Sequence, residues 1–319
     1  MSVFFGLRFD LRNPPFAGVD MADRYAALLD MVEWADERGA LYVTLSEHHG
    51  SDDGYLPSPL TMAAAIAART RNVRIMIAAL IAPFYDPLRL AEDAAVVDLI
   101  SGGRLDLIVA GGYRPEEFEM FGVAPSDRAA RVHETVETLK RAWTGEPLEF
   151  RGRTVRVLPT PVQPGGPRIT LGGTSDAAAR RAARIADGFI PSEPQYWDAY
   201  REECLKLEKP DPGPCPIGMN SVVVLAEDPE RAWPLLGPYF LHEVSAYGAW
   251  EAAAGHERYI PVANVDELRA KGEYRILTPD EYRREVGDAG YVMLHPMVGG
   301  IPPKLAWEHL QLFEEAFLR

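Results

Sequence analysis

Short apolar runs alternating with amphipathic helical stretches are the feature that most narrows what this chain can fold into. The runs recur as VFFGLRF from Val3, LYVTL from Leu41, IMIAALI from Ile75 and LDLIVA from Leu105. They continue as RITLG from Arg168, GFI from Gly188, VVVLA from Val222 and YVML from Tyr291. Near-continuous apolar runs of this kind suit parallel strands covered on both faces. Between them, Tyr25, Leu28, Leu29 and Val32 mark one apolar helical stripe, and Val132, Val136, Leu139 and Trp143 mark another. Asp20 is placed to cap the first of these, and Ser126 or Asp127 the helix that follows the fourth strand. Pro59 and Pro87 suit first-turn positions, whereas Pro234 and Pro238 predict a kink in the helix from Asp228.

Eight strands alternating with helices predict an α/β fold, a (β/α)8 barrel, with an open doubly wound sheet as the structural rival. Residues 1–319 read as one domain. One insertion follows strand four, with a short hairpin around Arg151 and Gly152. A second, in the C-terminal third at about 250–277, is poorly patterned and reads as a lid or mobile segment.

The net charge of −14 argues against a nucleic-acid partner, which usually needs a concentrated basic surface. No run approaches the roughly 18–20 apolar residues of a membrane span. The opening MSVFFGLRFDLRNPP lacks the charged and apolar regions of a secretory signal, and Cys204 and Cys215 form no CxxC pair. A cytoplasmic protein is therefore expected, with neither nucleic-acid nor membrane partner.

In a barrel the chemistry lies where strands run into the following helices. The first strand end offers Asp10 and Arg12, the second Glu47, His48 and His49, and the third Ala78 and Ala79. The fourth offers Gly111, Gly112, Tyr113, Arg114 and Glu117, the fifth Gly172, Gly173, Thr174 and Ser175, the sixth Ser192 and the eighth His295. Side chains alternate along a strand, so Glu47 and His49 should share one side and His48 take the other. Adjacent rather than HxH-spaced histidines, with no His or Cys at strand ends three to six, argue against a metal centre. The GGTS turn can be either a capped βα turn or an anion site of backbone N–H groups and hydroxyls. His133, His242, His256 and His309 read as structural or surface residues.

Taken together, SEHHGSDDGYLPSPL, the stretch from IAALIAPFYDPLRL to AGGYRPEEFEMFG, RITLGGTSDAAARRAARIADGF and HPMVGGIPPKLAWEHLQLFEEAF resemble the bacterial luciferase-like flavin-dependent oxidoreductases. The resemblance implies a luciferase-like (β/α)8 barrel that holds a flavin. It places His48 near the flavin ring, with Glu47 and His49 as supporting catalytic residues. It also implies a non-proline cis peptide at Ala78–Ala79 and a cofactor-phosphate contact at Gly172, Gly173, Thr174 and Ser175. Gly111, Gly112, Tyr113 and Ser192 complete the implied cofactor set. Gly111 stands where bacterial luciferase has a phosphate-binding arginine, which leaves three alternatives: backbone N–H groups hold the anion, Arg114 reaches it, or the cofactor differs.

The implied activity is a monooxygenase acting on a small to medium organic substrate with molecular oxygen. Its FMN would arrive reduced from a separate flavin reductase, since no GxGxxG nicotinamide fingerprint follows a strand. Two alternatives stand beside it. One is an oxidoreductase using the deazaflavin coenzyme F-420 by direct hydride transfer, and the other is a non-catalytic flavin-binding paralogue. A homodimer is implied by the resemblance; the Ala-rich helix at 61–68 would allow close helix–helix approach, and it equally fits burial inside a monomer.

Overall fold

The computed structural model describes residues 3–216, 222–255, 262–286 and 290–318. Its first third runs β1 (Phe4–Phe9), α1 (Met21–Glu37), β2 (Tyr42–Leu45), α2 (Pro59–Arg69), β3 (Arg74–Ile81), α3 (Pro87–Ser101) and β4 (Leu105–Ala110). There follow α4 (Pro115–Met120), α5 (Arg128–Ala142), β5 (Leu148–Phe150), β6 (Arg153–Val155), β7 (Arg168–Gly173), α6 (Asp176–Ile185), β8 (Gly188–Pro191) and α7 (Tyr196–Lys206). The chain ends with β9 (Val222–Leu225), α8 (Pro229–Ala253), α9 (Val265–Lys271), β10 (Tyr274–Leu277), α10 (Pro279–Val286), β11 (Tyr291–Leu294) and α11 (Pro303–Phe313). All eight expected strands form; β10 and α4 were not legible in the sequence.

The chain divides into two compact units. The first comprises residues 1–57, 69–73 and 219–319. In it, β1 lies between β11 and β2, all parallel, and β9 pairs in parallel with β10. Phe5, Leu7 and Phe9 of β1, Val43 and Leu45 of β2, and Val292 and Leu294 of β11 are buried and make the apolar face of the three-stranded sheet. The opposite face is polar. Arg8 is level with Thr44 on β2, and Leu7 with Leu294 on β11, so His295 falls in step with Arg8. Parallel strands are normally apolar on both sides, so a face carrying Arg8, Asp10, Thr44, Ser46 and His295 is a departure that calls for a chemical reason.

Helix α8 covers part of the first unit. It runs continuously through Pro234 and Pro238, where the sequence suggested a kink. Asp228 caps it by accepting from the Arg231 N–H, and Pro229 occupies its first turn. The helix passes close to the Met297–Ile301 turn because Gly299 has no side chain. A Cβ there would stand 2.0 Å from the Tyr239 carbonyl oxygen and 3.4 Å from Glu243 Cβ, and φ is +60°. The 250–277 segment read as poorly patterned contains ordered elements: residues 250–253 end α8, and α9 and β10 follow. Its part at 256–261, with His256, lies outside the described residues. Asp20 precedes α1 without a side-chain capping bond, so that helix start relies on backbone bonds such as Arg24 N–H to Asp20 O.

Buried His309 of α11 accepts at Nδ1 from the Leu225 N–H, 2.8 Å away, and so ties α11 to β9. Burial lowers its imidazole to about 3. Because the unfolded imidazole titrates near 6.5, the unfolded chain binds the extra proton first as pH falls, and stability present above that value is lost below it. Urea unfolding should show wild type losing roughly 2 kcal/mol more than H309N between pH 7 and pH 5. Equal losses would mean that the folded state protonates His309 freely.

The second unit comprises residues 58–68 and 74–218. Its strands β3, β4, β7 and β8 form a parallel sheet in that order. Asp86 caps α3 by accepting from the Leu88 and Arg89 N–H groups, with Pro87 in the first turn as its sequence position suggests. The expected hairpin is β5–β6, antiparallel, turning through Arg151 (φ 48°) and Gly152 (φ 75°). Paired positive φ values match the primed turns that suit strand twist. Asp127 precedes α5 without a side-chain capping bond, and the short α4 intervenes between β4 and that helix.

Candidate active site

Each unit carries one cluster of the residues singled out above. In the first, His49 Nε2 lies 2.8 Å from Glu47 Oε1, so the two pair with each other, although β2 ends at Leu45 and strand alternation does not reach them. His48 packs instead among aromatic rings. Its ring centroid is 4.9 Å from Tyr55, 6.2 Å from Tyr247 and 4.7 Å from Trp250. Tyr55 follows β2, whereas Tyr247 and Trp250 come from α8, and the two hydroxyls are 3.0 Å apart. All three residues of the Glu47–His49 run are buried.

A charge network lies against those rings. The Arg12 guanidinium is fully buried and donates from Nη1 to Asp53 Oδ2 at 2.5 Å. Asp53 also accepts from Ser51, at 2.5 Å, and pairs with His242 Nε2, 2.8 Å away. Burial opposes ionisation of Asp53, but the His242 bond, the Arg12 charge and the Ser51 bond outweigh it and hold the carboxyl well below the usual range. Asp10 accepts from the Arg12 backbone N–H, and its Oδ2 is 3.6 Å from His295 Nε2. Burial lowers His295 to about 4, so the ring is neutral at pH 7, with Asp10 acting against that shift and Arg8 and Arg12 with it. Burial pushes the Glu243 carboxyl up to about 7; Asp10 acts in the same direction, while Arg8, Arg12 and a Tyr274 hydrogen bond oppose it.

Several buried polar atoms on this face have no hydrogen-bond partner among the described residues: Asp10 Oδ2, Thr44 Oγ1, Ser46 Oγ, Glu243 Oε2 and both His295 nitrogens. Buried polar atoms are ordinarily satisfied, so a concentration of unsatisfied ones marks a place built for polar chemistry. Asp10, Arg12 and His295 were visible as strand-end residues. Glu243, Tyr247 and Trp250 were missed, although their i, i+4, i+7 spacing puts them on one stripe of α8 and was the available signal.

In the second unit the expected cofactor residues collect at the C-terminal edge of one sheet. Ala78 is level with Ile108 and Leu80 with Val109 on β4, with a register shift between them, and Val109 is level with Leu171 on β7. The Ala78–Ala79 peptide is cis. Gly111, Gly112 and Tyr113 follow β4, and Gly172 and Gly173 end β7. The Ser192 N–H donates to the Gly173 carbonyl at 2.9 Å. Gly173 cannot carry a side chain without movement, because a Cβ would stand 2.7 Å from Ala178 Cβ and 3.0 Å from Phe189. Ser175 caps α6 by accepting from the Ala178 N–H, and Thr174 is exposed.

Arg114, one of the alternatives for the missing arginine, is engaged by an acidic neighbour. It is buried and bonded to Glu117 at 3.2 Å. Arg128, unremarked in the sequence, lies beside Gly111: its Cβ, Cγ and Cδ are each 3.8 Å from where a Gly111 Cβ would stand. Arg181 of α6 has its pKa lowered by burial and by the like charge of Arg128. Two mutually repelling cations, bare glycine turns and the start of α6 fit a phosphate group. Among the described residues no three His, Cys, Asp or Glu side chains are gathered as a metal ion would require.

The family is shown by comparison of the whole chain. The profile of the luciferase-like monooxygenases matches residues 3–285, and the chain belongs to that family. It is similar to the oxygenase component of flavin-dependent trigonelline monooxygenase from Acinetobacter baylyi, 32% identical over 38% of this chain and 34% of that one. It is also similar to the F420-dependent glucose-6-phosphate dehydrogenase of Nocardia farcinica, 30% identical over 56% of each. The chain thus spans about a third of the length of the first of these relatives and just over half of the second.

Among solved structures, monooxygenase RslO1 from Streptomyces bottropensis superposes with a TM-score of 0.71, 28% identity and 99% coverage of both chains. The oxygenating constituent of 3,6-diketocamphane monooxygenase from Pseudomonas putida, in complex with FMN, gives 0.71 at 19% identity, covering 100% of this chain and 98% of that one. The fold is the luciferase-like (β/α)8 barrel. Among the described residues no helix is long and apolar enough to cross a membrane.

Proposed function

We propose that the chain is a reduced-FMN-dependent monooxygenase of a small to medium organic substrate. The observation that carries this reading is the buried His48 imidazole, walled by Tyr55, Tyr247 and Trp250, on a chain of the luciferase-like family. Bound reduced flavin would supply the electrons with which molecular oxygen is activated. The protein's own part is to bind, exclude water and move protons. His48 takes and returns a proton at an imidazole nitrogen, the side-chain group most often used for such transfers. Tyr55 and Tyr247 stay protonated, since burial raises both phenols, and serve as wall rather than as acid or base near neutral pH. The Glu47–His49 pair supports the loop that presents His48. In the second unit, Ala78 and Ala79 would approach the flavin ring. Gly111, Gly112, Tyr113, Gly172, Gly173, Thr174, Ser175 and Ser192, with Arg128 and Arg181 added, would hold its phosphate.

This reading includes a separate flavin reductase, a cytoplasmic location and a homodimer. In support of the dimer, α3 of the second unit exposes Val96, Leu99 and Ile100 together, an apolar face that pairing would cover. A second reading, hydride transfer with the deazaflavin coenzyme F-420, is favoured by the dehydrogenase relative. The phosphate assignment is testable by itself. R128A should weaken reduced FMN binding about tenfold, the scale of one charge-assisted hydrogen bond, and leave riboflavin binding unchanged. Equal loss for both, or loss for neither, would remove Arg128 from the phosphate.

A further inference from the structure

Arg12 has no role in the chemistry described so far, yet its environment is among the most constrained in the first unit. It is wholly buried, and its Nε and Nη2 have no hydrogen-bond acceptor among the described residues. Nε is ion-paired with Asp10 Oδ2 at 3.7 Å, beyond hydrogen-bond distance, and aromatic faces surround the rest of the group. The guanidinium carbon lies 4.8 Å from the ring centroid of Tyr55, 4.8 Å from that of Tyr247 and 4.5 Å from that of Trp250. A planar, weakly hydrated cation is attracted to such faces, and three rings around one guanidinium are a specific arrangement rather than a generic packing contact. Asp53 fixes the cation at Nη1, and is itself held by Ser51 and His242.

These are the same three rings that surround His48. They come from distant parts of the chain, Tyr55 from the loop after β2 and Tyr247 and Trp250 from α8. One group therefore joins the loop that carries the histidine to the helix that walls it. We propose that Arg12 is the positioning residue of His48: anchored by Asp53, its guanidinium gathers Tyr55, Tyr247 and Trp250 into the wall that sets the orientation of the imidazole. The inference rests on His48 being the proton-handling residue for its catalytic meaning, but the positioning itself is read without turnover. Lysine would not serve, since a point charge on a flexible stem cannot face three rings at once.

The test is NMR of histidine-labelled protein, with the His48 ring resonance assigned through H48Q. Rings within about 5–6 Å of the imidazole impose ring-current shifts that depend on their placement. R12K retains the charge and removes the planar group; R12M removes both; D53N loosens the anchor while leaving cation and rings in place. The proposal expects the His48 resonance to move in R12K nearly as far as in R12M, and in the same direction but less far in D53N. Trp250 emission, identified through W250F, should shift with it. A His48 resonance unchanged in R12K and D53N overturns the proposal, and so does one that moves only in R12M, which would assign the effect to charge alone. Should R12M fail to fold, R12K and D53N decide by themselves. A shifted resonance in a protein that binds no flavin would defeat the functional reading and leave the positioning role standing.

Discussion

Replacing His48 with alanine should lower flavin-dependent turnover about 10²–10⁴-fold, the usual contribution of a positioned proton-transfer group, while reduced-flavin affinity changes only a few-fold. The separation follows from the geometry. His48 is held by rings of the first unit, whereas the donors proposed for the phosphate belong to the second. Truncation also opens space beside Trp250 and Tyr55, so thermal unfolding should accompany the assay to show that the fold persists. Stopped-flow rates with H48A and H48Q give the measurement. Turnover reduced less than about fivefold would remove His48 from the chemistry. A wild type that binds reduced flavin but turns over no substrate would favour the non-catalytic paralogue instead.

Arg12 should give the largest stability effect. R12A leaves the Asp53 carboxylate buried with His242 and Ser51 as its remaining partners among the described residues, breaks the ion pair to Asp10, and strips three rings of the cation they face. Breaking a buried ion pair from one side costs about 3–5 kcal/mol. Because His242 remains to pair with Asp53, the lower end is expected, with the lost cation–π contacts adding to it. Urea unfolding at pH 7 reads the loss. The double variant R12A/D53A should be less destabilised than the sum of the two single variants, since each alone strands a partner that the double variant removes. A loss below about 1 kcal/mol in R12A would show that the network adds nothing to the folded state.

Much of the framework was legible because burial on both faces writes a parallel strand as an unbroken apolar run. RIMIAALI and LDLIVA show this plainly, and both became strands. The polar face of the first unit hid within the same signal. Arg8 and Thr44 interrupt apolar runs without looking exceptional, and only the register that sets Arg8 beside Thr44 and in step with His295 shows them as one surface. β10 escaped notice because four residues, YRIL, with two charged or polar neighbours carry too little pattern.

The site divides in the same way. Glu47, His48 and His49 stand out as a contiguous run, but they fall in the loop after β2, and their pairing comes from that loop's path rather than from strand alternation. The cis Ala78–Ala79 bond came from the family resemblance, and nothing in two alanines announces it. Arg128 was invisible because its relation to Gly111 spans a loop and a helix start that no local spacing encodes. The Tyr247 and Trp250 wall is hidden because the helical run from Asp228 to Trp250 does not say which of its stripes faces His48.

The central claim is that this chain uses reduced FMN. Anaerobic equilibrium titration of the purified protein with reduced FMN and, separately, with reduced deazaflavin coenzyme tests it most directly. Saturable binding of reduced FMN, weakened in R128A and retained in H48A, is the expected result. Binding of the deazaflavin alone would contradict the claim and move the chemistry to hydride transfer; binding of neither would return the GGTS turn to an ordinary capped helix start.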